Sequence, residues 1–496
     1  MPQFSHLISG AAWSISGKVM QFGLSLVTLA VIARLVGPQA YGVYALGWLA
    51  LGLFDILVGG APTDTLVQRR HASRGHFNAT FWATLAIAIV GWLGIWQGAD
   101  AISSWIAGGE VLAAILPIRA VGFVIRGLGV CPGAQLLRES RFRALAKAEL
   151  MASVVSNLLG IVMAISGAGI WSLVGMELSR VLIVTVSAFI LTGWRPGLTM
   201  KLSDFTDLLA FNTSTWVSWG LGYLESQLPR LLIGSALGPQ AVGYFALAQR
   251  LKDQVCDILM VPAYNVVQAG IARAQDDLDN ARRLAAGTFR VTAVLSCPLF
   301  LGLAALAPVL VPTIFGAQWT AAVPVVQLLM LLGLRASVAT VQAAVIRGMG
   351  KAHWDMVLAI VGVLLSAILV SAAAPSGLVP AAAALVLGGV LLYPLEVRFV
   401  RRLTGLTFVD QTSALARAAA AGTGMALIVV GVAPLLLAHV PAGLTIGLSM
   451  LIGAIAYWAL LRLFMPVAAA VIEQLFSSVV RRDFGALRTS LAELSV

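Results

Sequence analysis

Long apolar runs parted by short polar connections recur from one end of the chain to the other. A helix needs roughly 20 apolar residues to cross a bilayer, and fourteen segments meet that length. They run approximately over 8–36, 41–68, 78–98, 106–135, 143–167, 169–194 and 207–236, then 240–268, 285–314, 321–346, 354–374, 378–400, 412–438 and 442–465. Helices must carry these spans, because hydrocarbon offers no partner for an unpaired backbone N–H or C=O.

The connection between the first two runs occurs twice. Leu35-Val36-Gly37-Pro38-Gln39-Ala40-Tyr41-Gly42-Val43-Tyr44-Ala45-Leu46 returns as Ala236-Leu237-Gly238-Pro239-Gln240-Ala241-Val242-Gly243-Tyr244-Phe245-Ala246-Leu247, 201 residues later. In each copy Gly-Pro stops one helix and the later glycine lets the next begin close to its neighbour, so a helix hairpin has been duplicated. The echo continues: Pro62, Val67 and Gln68 match Pro262, Val267 and Gln268, and Arg126 and Arg138 match Arg335 and Arg347, both pairs 12 apart. Collinear identities in this order mark an internal repeat. The expected fold is an all-α membrane protein of about 14 transmembrane helices: two six-helix lobes, residues 1–200 and 201–405, then two further helices over 406–465. The tail, 466–496, alternates Ile472, Leu475, Phe476 and Val479 with Arg481, Arg482 and Arg488, as an interfacial amphipathic helix does.

Composition agrees with the pattern. Hydrophobic residues make up 59% and charged residues 11%, with a mean hydropathy of +0.94, against about 25% charge in a soluble domain. The net charge of +11 comes from bases in the short connections, which argues against nucleic acid and for membrane topology. Even-to-odd connections and the helix ends beside them hold Arg69, Arg70 and Arg74; Arg138, Arg141, Arg143 and Lys147; Arg195 and Lys201; Arg273, Arg282, Arg283 and Arg290; Arg347 and Lys351; and Arg398, Arg401, Arg402 and Arg417. The opposite connections, near 37–40, 97–105, 237–239, 316–320, 374–377 and 439–441, hold none. The positive-inside rule then places both termini in the cytoplasm. A first run that is long, carries Lys18 and leads straight into the repeated junction is not expected to be a cleaved signal peptide. Cys131, Cys256 and Cys297 have neither disulfide nor zinc spacing.

Nine bases in or at the rim of spans stand out as not explained by the connections: Lys18, Arg34, Arg119, Arg126, Arg180, Arg230, Arg250, Lys252 and Arg335. Each costs about 2.5–3.5 kcal/mol at a helix centre, so they are expected to face a water-filled cavity or an acidic partner. Asp55, Asp64, Glu149, Glu177, Glu225, Asp253 and Asp257 accompany them. Glu177 with Arg180, and Arg250 with Asp253, are three apart and can meet on one helical face. Lys18 lies about 15 Å into its helix with no acid in that helix, and Arg250 is about as deep, which makes these two the leading candidates for binding an anion. Asp55, Glu225, Asp253 and Asp257 fit either ion-coupling sites or neutralising partners.

No GxxxxGK[ST] loop is present, since Gly17-Lys18 precedes Val19 and Gly350-Lys351 precedes Ala352. The five histidines are scattered, and no metal, cofactor or enzymatic chemistry is expected.

The run Gly10 to Arg34 with the junction that follows, the second copy at Leu237 to Leu247, and the basic turn Arg138-Glu139-Ser140-Arg141-Phe142 resemble the polysaccharide-exporting flippases of the multidrug/oligosaccharidyl-lipid/polysaccharide superfamily. The resemblance implies a V-shaped alternating-access bundle in the bacterial inner membrane that moves an undecaprenyl-diphosphate-linked oligosaccharide outward. That transport would feed exopolysaccharide, O-antigen or capsule synthesis alongside a polymerase and export machinery, with the last two helices guiding the lipid tail. Basic residues in the first and eighth helices of such flippases correspond in location to Lys18 and Arg250. The substrate-binding set expected is Lys18, Arg34, Arg119, Arg126, Arg230, Arg250, Lys252 and Arg335, because clustered cations in a low dielectric favour a diphosphate dianion. The alternative on the same architecture is a cation-coupled drug antiporter, which would prefer acidic walls.

Overall fold

The computed structural model describes residues 2–69, 72–106, 109–199, 202–466, 469–470 and 473. Side chains are described throughout these except at 2–22, 61, 202–215, 217, 218, 221, 261–263, 265 and 266. Among the described residues there are helices and turns and no strand. Among the described residues twelve helices are long and apolar enough to cross a membrane. The sequence divides the chain into fourteen runs. The counts differ because two of the twelve contain a Gly-Pro junction, which is a single-residue break and not a loop: helical hydrogen bonding resumes at once on either side of Gly37 (φ 79°, ψ 166°) and Gly238 (φ 79°, ψ −179°). A positive φ is open to glycine at little cost, and proline directly after it fits the first turn of the next helix.

Two compact units divide at Gly243. The first comprises α1 (Pro2–Asp55), a π-helical turn (Ile56–Gly60), α2 (Ala61–Gln68), α3 (Arg74–Trp105), α4 (Gly109–Arg138), α5 (Phe142–Ile165), α6 (Ile170–Thr192) and the first part of α7 (Leu202–Arg273). Within it α3 packs on α4, α4 on α6, α5 on α6 and α1 on α5. Ser73 starts α3 with a capping box shared with His76, satisfying two backbone donors that would otherwise be orphaned. Gly193, left-handed, ends α6. The two copies of the junction meet inside this unit. A β-carbon at Gly42 would overlap the carbonyl of Pro239, and one at Gly243 the carbonyl of Pro38.

The second unit holds the rest of α7, then α8 (Leu278–Phe315), α9 (Val323–Gly348), α10 (Ala352–Ala373), α11 (Leu378–Thr404), α12 (Phe408–Leu437) and α13 (Ala442–Phe464). Here α8 packs on α9, α9 on α11, and α10 on α11. These are the pairings of α3, α4, α5 and α6 over again, as a duplicated sequence requires. The two added helices join through α12, which packs on α8 and α13. Ala418, Ala421, Met425 and Tyr457 bury there against Ala293 and Cys297. The acidic stretch Asp276, Asp277 and Asp279 stands at the start of α8, where Asp277 accepts a hydrogen bond from the Asn280 amide at 3.0 Å and the negative charge suits the helix N-terminus. Of the tail expected over 466–496, all but a few residues at its start lie outside the described residues.

Candidate functional site

The charged residues of the spans separate into an enclosed set and a partly open set. Arg119, on α4, is 3% exposed. Its Nε donates to Glu177 Oε2 on α6 at 3.0 Å, its Nη2 lies 2.9 Å from the same oxygen as part of the ion pair, and its Nη1 donates to the Tyr44 carbonyl at 2.9 Å. The Tyr44 hydroxyl donates to the same Glu177 oxygen at 2.8 Å, while the guanidinium stacks over the Tyr44 ring at 4.3 Å. Gly47 makes room for this guanidinium, since a β-carbon there would strike Arg119 Nη1. Sequence spacing predicts Glu177 paired with Arg180; instead Glu177 turns to the base on the neighbouring helix, and Arg180 is exposed. By reaching across, Arg119 hydrogen-bonds two other elements at once, the α6 carboxylate and the α1 backbone.

Beside this cluster, Arg126 Nε lies 3.0 Å from Asp55 Oδ1, with the two side chains 38% and 23% exposed. Asp55 ends α1 where the helix widens into the π-turn Ile56–Gly60. A π-turn inserts a residue into the helical register and is common at functional sites. Trp48, Asp55, Arg119, Phe123, Arg126 and Glu177 line a crevice with about 10 Å³ of free space, room for one water molecule.

In the second unit Arg335, the repeat partner of Arg126, donates from Nη2 to Glu396 Oε2 at 2.6 Å and from Nε to the Gly389 carbonyl at 2.8 Å. Glu396 is absent from the acidic residues singled out by the sequence pattern, although it lies inside the run 378–400 and was findable there as an isolated carboxylate. Lys252 pairs with Asp253 at 2.8 Å, the acid that spacing assigns to Arg250. Arg230 donates to Gln227 Oε1 at 2.9 Å along its own helix. Arg34, Arg250, Glu225 and Asp257 are exposed, and the Lys18 side chain lies outside the described residues. Arg119, Arg126 and Asp55 are thus brought together in the first unit, while the remaining candidates are dispersed along α1, α7 and α9. Among the described residues no group of His, Cys, Asp or Glu is placed to hold a metal ion.

Residues 31–324, more than half of the chain, match the family model described as polysaccharide biosynthesis protein. The succinoglycan biosynthesis transport protein ExoT of Rhizobium meliloti (strain 1021) is 25% identical over 325 residues, 64% of this chain and 64% of its own length. The lipopolysaccharide biosynthesis protein WzxC of Escherichia coli (strain K12) is 26% identical over 361 residues, 70% of this chain and 71% of its own. Among solved structures, the lipid II flippase MurJ in an inward closed conformation superposes with a TM-score of 0.74 at 13% identity, covering 91% of this chain and 98% of that one.

Proposed function

Because this chain belongs to the polysaccharide biosynthesis protein family, we propose that it is a flippase for an oligosaccharide linked through a diphosphate to a polyprenyl lipid. It works in the bacterial inner membrane, with both termini and the basic connections in the cytoplasm, and hands its substrate to a polymerase and export machinery. The observation that carries this reading is the supply of cations within membrane-spanning helices of a fold shared with a lipid II flippase. Four of the described intramembrane carboxylates, Asp55, Glu177, Asp253 and Glu396, are each engaged by an arginine or lysine, which leaves less free acid than a cation antiporter would prefer.

The geometry supports a division of labour. Arg119 is locked by two hydrogen bonds and an ion pair and holds α4 against α6. Arg126 is held by a partly exposed carboxylate, and an ion pair in contact with water can exchange partners at little cost. A diphosphate carries more negative charge than Asp55 and offers more acceptors, so Arg126 can pass to the headgroup as it arrives. Lys18, Arg34, Arg230, Arg250, Lys252 and Arg335 supply further cationic contacts along the route, and Asp55, Glu225, Asp253 and Asp257 are the groups on which ion coupling would act. A duplicated helical architecture is what alternating access requires.

The test is transfer of a fluorescent undecaprenyl-diphosphate oligosaccharide between leaflets of proteoliposomes. Arg126→Ala and Arg250→Ala are expected to slow transfer at least tenfold with unchanged thermal unfolding. Expulsion of organic cations by a wild-type protein that moves no lipid-linked sugar would overturn the reading in favour of antiport.

A further inference from the structure

A second cationic feature lies away from the intramembrane charges, at the end of the first unit where α3 starts and α4 and α6 finish. A cavity of about 460 Å³ opens there, within the size range of small-ligand pockets, roughly 300–1,000 Å³. Arg74, Arg138 and Arg195 lie on its wall with Phe77, Trp194 and Gln135. The one carboxylate on the wall, Glu139, is engaged by Gln135 at 2.7 Å and by Arg141 at 3.6 Å.

The arginines around this cavity differ in what they hold. Arg138 donates to the carbonyls of Leu66 and Arg69, each at 2.6 Å, and so closes the C-terminal end of α2. Arg141 does the same for α6 through the Leu191 carbonyl at 2.8 Å. Cations at helix C-termini are engaged by the helix dipole and its orphan carbonyls. Arg74 and Arg195 cap no helix end, and among the described residues neither side chain makes a hydrogen bond or an ion pair. Both are exposed.

The walls that carry these two are fixed. Arg74 is the first residue of α3, directly after the Ser73 cap. Arg195 sits in the irregular stretch 193–199, which is tied to α3 at three points. Asn78, fully buried, accepts from the Gly197 amide at 3.0 Å and donates to the Thr199 carbonyl at 3.0 Å, and Trp82 Nε1 donates to the Gly197 carbonyl at 3.0 Å. Trp194 is wedged against Phe81 and Phe189, with ring centroids 5.2 and 6.1 Å away. Loops normally run over the surface without such ties; this one is built as a pocket wall.

We infer that this pocket binds the phosphate group of an anionic phospholipid, with Arg74 and Arg195 as its ligands. Two guanidinium groups held on fixed walls suit a phosphodiester, whose oxygens accept charge-assisted hydrogen bonds in a planar fork. A lipid is favoured over a free anion because Ile190 and Leu198, 76% and 79% exposed, flank the same stretch and give an acyl chain an apolar surface beside the headgroup. The site stands at a membrane rim rich in bases, where anionic headgroups concentrate. It is independent of the transport reading, since it requires only that the chain reside in a bilayer.

The experiment is native mass spectrometry of the full-length purified protein, delipidated and titrated separately with phosphatidylglycerol, phosphatidylcholine and inorganic diphosphate. Wild type is expected to retain phosphatidylglycerol over phosphatidylcholine, and Arg74→Gln/Arg195→Gln to retain at least fivefold less of it. Arg283→Gln/Arg398→Gln, which removes the same charge from exposed positions of the second unit, should retain as much as wild type. Equal retention by the pocket variant, or equal loss in both variants, would overturn the site. Retention of inorganic diphosphate without phosphatidylglycerol would overturn the lipid assignment. Transport is not read at any step, so a failed flippase reading and a failed lipid site give different results.

Discussion

Arg119 shows what a buried charge needs in order to persist in a membrane protein. Its guanidinium has a carboxylate, a carbonyl and an aromatic face around it, and Tyr44 gives Glu177 a second donor. Removing one partner from such a pair leaves the other charge enclosed and unpaired, which typically costs about 3–5 kcal/mol, whereas replacing both with apolar groups is often close to neutral. Glu177→Leu is therefore expected to destabilise by about 3–5 kcal/mol, and Arg119→Leu/Glu177→Leu to recover much of that loss, as measured by unfolding in detergent. An additive double variant would show that the two side chains do not act as a pair. Arg126 is expected to behave oppositely, with little loss of stability in Arg126→Ala because its pair with Asp55 is partly exposed and screened. The identity of these bases was legible in the sequence, because charge stands out against apolar runs. Their partners were not, because spacing along one helix reveals only neighbours on that helix, and Arg119 with Glu177 and Arg335 with Glu396 both reach across to another.

The Gly-Pro junctions carry the clearest message among the elements. Sequence places a turn of several residues there, but a single left-handed glycine suffices, so each junction lets two helices follow one another with almost no connecting chain. The later glycine of the motif has a purpose that only packing reveals. Gly42 lies against the Pro239 carbonyl and Gly243 against the Pro38 carbonyl, a reciprocal contact between the copies. The obstacle in each case is backbone, which cannot turn aside as a flexible side chain can. Gly42→Ala and Gly243→Ala are each expected to lower stability by about 1–3 kcal/mol, the usual cost of overpacking, and Gly133→Ala, where a β-carbon meets open space, by much less. Equal unfolding midpoints for Gly42→Ala and Gly133→Ala would refute the contact. The repeat itself was readable from these motifs and is matched by the packing order of α3 to α6 and α8 to α11. The π-turn after Asp55 had no sequence signature beyond its two glycines.

At the scale of the molecule, the number of helices in each repeat decides which way the copies face. An even number returns the chain to the side from which it entered, so two repeats of six helices, as the sequence pattern leads one to expect, would insert in parallel with equivalent connections on one side of the membrane. The distribution of bases agrees, since Arg138, Arg141 and Arg143 in the first repeat correspond to Arg347 and Lys351 in the second, and such clusters stay cytoplasmic. An odd number would invert the second copy and put one basic cluster outside. Single cysteines in a Cys256→Ser background distinguish the two cases, because Cys131 and Cys297 are buried. A membrane-impermeant maleimide applied to intact cells is expected to label Asp100→Cys and Ser376→Cys, and to reach Ser140→Cys and Lys351→Cys only after lysis; all four positions are exposed. Labelling of Ser140→Cys but not Lys351→Cys, or the reverse, in intact cells would mean inverted repeats. The basic rim would then no longer lie on one face, and cytoplasmic loading of an anionic headgroup would lose its electrostatic basis.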